Sequence, residues 1–100
     1  MSDDIRETLH EATLHSLAVI RDALSAGEIV PVGNELHSMR GGFALAGDTA
    51  ASDVCARAEQ AVAEGGIEAM NVAWPAFEAA IECALARLRG SGSREPHACA

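Results

Sequence analysis

The sequence predicts an all-α fold, an antiparallel up-down-up-down four-helix bundle. Three observations lead there. Alanine is abundant, aromatics make up 3% of 100 residues and tyrosine is absent, a composition suited to closely packed helices and not to a β-sandwich. Apolar residues recur every three or four positions through four segments. Glycines separate those segments, and short connections make successive helices antiparallel neighbours.

The first helix is expected from about Asp4 to Ala26. Ser2, Asp3 or Asp4 can cap it, and acidic residues there suit the positive end of its dipole. Leu9, Thr13, Leu17, Ile20 and Leu24 fall on one side, with Ile5 and Leu14 at the margins; Gly27 is the stop. The second helix starts near Ile29 and Pro31, because a first helical turn tolerates proline. It runs to about Ala46, burying Leu36, Met39, Phe43 and Ala46, and Gly47 ends it. Gly33, Gly41 and Gly42 lie inside it, each costing about 1 kcal/mol against alanine. Helix stability is therefore not what keeps them there.

A third helix follows from Asp48 or Thr49 to about Glu64, with a narrow face of Ala51, Val54, Cys55, Ala58, Ala61 and Val62. Gly65-Gly66 breaks the chain. The fourth helix, from Ile67 to Arg89, is the most periodic: Ile67, Met70, Trp74, Phe77, Ile81, Leu85 and Leu88. Pro75 removes one of its backbone hydrogen bonds, so a kink or break is expected there. One domain fits the length: a bundle over residues 1–90, then a polar, periodless tail over 91–100, expected to be disordered.

Composition excludes several functions. Fifteen acids against seven bases leave a net charge of −8, a repulsive field for phosphate backbones, so no nucleic-acid partner is expected. All seven bases are arginine, which removes Schiff-base lysines and Walker phosphate loops. No apolar run approaches the ~18 residues of a membrane span, and the start lacks the charged and apolar regions of a secretory signal. Cys55, Cys83 and Cys99 form no CxxC pair and read as reduced thiols.

Among the histidines, His97 lies in the tail, and His10 and His15, five apart, face different directions and cannot share a metal. His37 differs. It stands one position past Leu36, about 100° from the buried stripe, on a solvent-facing flank. Arg40 and Gly41 share that face at i+3 and i+4. Arginine binds phosphoryl oxygens, and a glycine leaves the ring approachable.

The segment His37-Ser38-Met39-Arg40-Gly41-Gly42-Phe43-Ala44-Leu45-Ala46-Gly47 resembles the signature of histidine-containing phosphotransfer (HPt) domains. That signature is a His, any residue, an apolar residue, Lys or Arg, Gly, two small residues, and a Gly ten positions after the His. Gly27-Glu28 before it, a small-and-apolar third helix and a final amphipathic helix extend the resemblance over roughly residues 4–89. Three positions depart from the pattern: Arg40 where lysine is usual, Phe43 where a small residue is common, and Glu59 where some members have glutamine.

The resemblance implies a phosphorelay intermediate. His37 would accept a phosphoryl group from the phospho-aspartate of a receiver domain and pass it to the aspartate of a response regulator. Arg40 would supply charge, Gly41 access, and Glu59 or its neighbour Gln60 would hold Nδ1–H so that Nε2 attacks. No cofactor of its own is implied and there is no ATP site; the partner receiver would bring Mg²⁺. The chain would work in the cytoplasm as a monomer without membrane contact, free-standing or as the C-terminal domain of a hybrid sensor histidine kinase. Ile29, Val30 and Val32 are candidates for an apolar docking patch. Two other readings are a non-phosphorylated four-helix module that docks receivers or another partner, and a metal bundle, for which Glu7 and His10 form a single suitable pair.

Overall fold

The computed structural model describes residues 3–89, and within them the chain is all-α. Three helices follow in order: α1, Asp3–Ala26, α2, Ile29–Leu45, and α3, Thr49–Arg89. The separate fourth helix expected after Gly65-Gly66 is not seen; its residues continue α3. One residue inside α3 is non-helical, Gly66, with φ 68° and ψ −153°. A straight helix of 41 residues would be about 60 Å long, yet the longest dimension of the fold is 37 Å. Helix α3 therefore doubles back at Gly66. Ala58 and Ala61 before the bend line one small crevice with Ala73, Phe77 and Ala80 after it. The φ/ψ pair at Gly66 is open almost only to glycine, which is why the reversal falls there.

Of the kink or break expected at Pro75, a break does not occur: the residue lies within helical backbone. Proline's fixed φ is itself helical, and the turns on either side are anchored by packing. Trp74 and Phe77 pack as tilted rings with centroids 5.7 Å apart, and Arg21 of α1 lies over the Trp74 ring and pairs with Glu78.

Both inter-helix turns are built alike. After α2, Gly47 takes φ 80°; its N–H donates to Ala44 O and that of Asp48 to Phe43 O, closing a Schellman motif. Gly27 and Glu28 repeat the pattern after α1 on Leu24 O and Ala23 O. Asp48, not Thr49, caps α3: its Oδ1 accepts from Ala51 N at 3.0 Å. Its carboxylate also takes the Arg87 guanidinium at 3.0–3.1 Å, tying the two ends of α3 together.

The core draws on every helix. Ile20 of α1, Val32, Leu36 and Phe43 of α2, and Cys55, Met70 and Ile81 of α3 are all fully buried. The stripe predicted for α1 is present, with Leu9 and Leu24 packed at its edge and Ile5 and Leu14 exposed. Cys55 is a free thiol, but Cys83 is disulfide-bonded. This corrects the expectation of three reduced thiols; cysteine spacing alone carries no pairing information. Residues 91–100, expected to form a tail and holding His97 and Cys99, lie outside the described residues.

Candidate phosphotransfer site

Helix α2 buries Val32, Leu36, Met39 and Phe43, and this stripe fixes the rotation of the helix. His37 follows Leu36 and so projects outward, with 72% of its side chain exposed. Its Nδ1 lies 3.3 Å from Oε2 of Glu59 on α3. An ionised carboxylate only accepts, so in the neutral ring this contact suits the tautomer with the proton on Nδ1, which would leave the Nε2 lone pair free. At that length the contact orients the ring without holding it tightly.

Glu59 is the hinge of the cluster. Arg40, one turn beyond His37, brings Nε to 3.1 Å from Glu59 Oε1. The approach is close enough for charge pairing, but the N–H is not aimed for a hydrogen bond, and that buried oxygen has no hydrogen-bond partner. Glu59 is only 24% exposed. One carboxylate thus faces the imidazole with one oxygen and the guanidinium with the other. Gln60 is turned away and donates to Glu64.

The ground beside the ring is clear. A Cβ placed on Gly41 would meet nothing within 4 Å, whereas one on Gly42 would lie 2.8 Å from Leu9 Cδ1. The adjacent glycines therefore have separate reasons: Gly42 lets α1 approach α2, and Gly41 leaves space open to the outside. Beneath the site, Ser52 Oγ donates to Arg40 O at 3.4 Å, and buried Cys55 lies one turn before Glu59. Burial, then the Glu59 charge, pushes the Cys55 thiol up to about 12.

Residues 4–91 match the family model of the Hpt domain. The chain belongs to the Hpt domain family. Searches of curated proteins and of solved structures returned no match. An Hpt domain has a phosphotransfer role in a phosphorelay, and Hpt domains interact with receiver domains. Among the described residues of this Hpt domain no helix is long and apolar enough to cross a membrane, and no three His, Cys, Asp or Glu side chains are grouped to hold a metal.

The docking patch expected at the start of α2 needs correction in part. Val32 is fully buried and Ile29 packs against the core; Val30 alone of the three is exposed. Sequence reasoning missed a second apolar surface, a groove of about 650 Å³ between α1 and α2 lined by Ile5, Leu9, Ala12, Ser38, Gly42 and Leu45. The signal was available in Leu45, an apolar residue off the core stripe of α2 and 92% exposed.

Proposed function

We propose that His37 is the phosphorylated residue, taking the group from the phospho-aspartate of one receiver domain and giving it to the aspartate of a second. The observation that carries this reading is the exposed imidazole held through Nδ1 by Glu59. In the forward step the Nε2 lone pair attacks phosphorus, an N–P bond forms, and the P–O bond to the aspartyl carboxylate breaks. The carboxylate leaves with the electron pair. The Nδ1 proton stays on the ring, and the Glu59 carboxylate stabilises the positive charge that develops there. Arg40 is placed to turn from its poorly aligned contact with Glu59 toward the incoming phosphoryl oxygens. Gly41 admits the partner's active site. The receiver supplies Mg²⁺ and with it most of the stabilisation of the transferring group.

The two arms of α3 serve as the third and fourth rods of an antiparallel bundle, presenting Glu59 to α2. The domain acts in the cytoplasm as a monomeric relay unit.

The test is phosphoryl transfer from labelled phospho-receivers. His10→Gln and His15→Gln are expected to become labelled like the wild type, and His37→Gln to fold but take no label. Labelling of His37→Gln at the wild-type level overturns the assignment. A wild type that binds receivers but is never labelled favours the non-phosphorylated interaction module.

A further inference from the structure

Glycine is a poor helix former, so each glycine inside α2 needs a reason. Gly42 has one in the approach of Leu9. Gly33 has none within the fold. A Cβ there would meet nothing within 4 Å, and its φ is not positive, so neither internal packing nor backbone conformation calls for glycine. Gly33 lies at i−4 from His37, as Gly41 lies at i+4. One turn further back, at i−7, Val30 leaves 68% of its surface in water. Seven residues amount to about two helical turns, so Val30, Gly33 and His37 lie on one face.

On the N-terminal side of His37, α2 itself presents little charge on a chain carrying −8. Between Val30 and His37 the single ionisable residue is Glu35, which accepts a hydrogen bond from buried Ser16 Oγ at 2.7 Å and is thereby turned toward α1. The strip offers a partner an apolar end, bare backbone, and then the imidazole, where Glu59 is the carboxylate it meets.

We infer that Gly33 is a specificity-determining residue for the receiver domain, which lies along α2 on the N-terminal side of His37, passes over Gly33 at backbone distance and closes on Val30. This rests on His37 being the phosphorylated residue. Gly41 then clears one side of the ring and Gly33 the other.

The experiment loads His37 chemically with phosphoramidate, a small donor that needs no docking surface. Transfer is then followed, with Mg²⁺, to a receiver domain that accepts the group from the wild type. Gly33→Leu is expected to slow transfer at least about tenfold, the scale of a well-packed interface position, with the loss seen in the dependence on receiver concentration. Gly33→Ala should lose less, and Val30→Asp should resemble Gly33→Leu. Phosphoramidate loading of Gly33→Leu should match the wild type and its Tm should not fall, since the added side chain enters open space. Wild-type transfer by Gly33→Leu overturns the inference. So does an equal loss of phosphoramidate loading, which would place the effect on the imidazole itself. A wild type that takes no phosphoryl group from phosphoramidate removes the His37 reading, and this inference with it.

Discussion

Glu59 is the residue that the exposed histidine faces across the helix boundary. Its carboxylate reaches Nδ1 of His37 and Nε of Arg40 from a different helix, and under the proposed function it would select the tautomer and hold the cation in reserve. Glu59→Ala is expected to slow transfer several-fold without abolishing it, because Arg40 and the receiver's metal remain; a rate equal to wild type would reduce Glu59 to a surface acid. Glu59→Gln, whose amide oxygen still accepts from Nδ1–H, should lose less. Cys55 offers a second test at this scale. Its thiol is pushed up to about 12 in the folded chain, first by burial and then by Glu59, while an unfolded thiol titrates near ~8.5. Unfolded chains therefore release this proton first as pH rises. The contribution to stability is full below about 8.5 and falls progressively toward about 12. Urea midpoints at pH 8 and pH 10 should show that decline, and Cys55→Ala should show less of it. Of the four candidate site residues, His37, Arg40 and Gly41 are readable from one helical turn of sequence. The choice of Glu59 over Gln60 is not, because it depends on how α3 is rotated against α2.

Helix α3 shows how a whole element turns on one backbone conformation. Gly66 takes φ 68°, ψ −153°, and alanine there is expected to cost about 1–3 kcal/mol. Pro75 should behave in the opposite sense. It is exposed within helical backbone, so Pro75→Ala restores a hydrogen-bond donor and should raise stability by up to about 3 kcal/mol. Thermal melts of the two variants check both signs, and a drop in Tm for Pro75→Ala would show that the proline is held by something beyond its own turn. The Gly65-Gly66 signal marked the reversal correctly in the sequence. At Pro75 the expected break is absent; a local rule about one lost hydrogen bond cannot register the Arg21–Glu78 pair, whose arginine comes from α1.

At the scale of the molecule, one core built from all three helices holds the His37 face in place. Phe43 is at its centre and fully buried, on the same helix as His37. Phe43→Ala is expected to cost about 3–5 kcal/mol, a large fraction of the roughly 5–15 kcal/mol that stabilises a small domain. Chemical denaturation checks this, and a cost below about 1 kcal/mol would mean that the core closes over the cavity. The aromatic side chain at a position where the family commonly has a small residue is thus taken up by the interior, not displayed beside the site.

Local periodicity by itself determined the helical class, the buried stripes, the outward bearing of His37 and the adjacency of Arg40 and Gly41, because each follows from 3.6 residues per turn acting within one helix. The tertiary structure alone decided which α3 side chain meets the imidazole, that Val32 turns inward while Leu45 stays in water, and that Gly33 and Gly42 differ in purpose. Those outcomes depend on the rotation and distance between helices, and such distances are set by the packing of residues far apart in the chain.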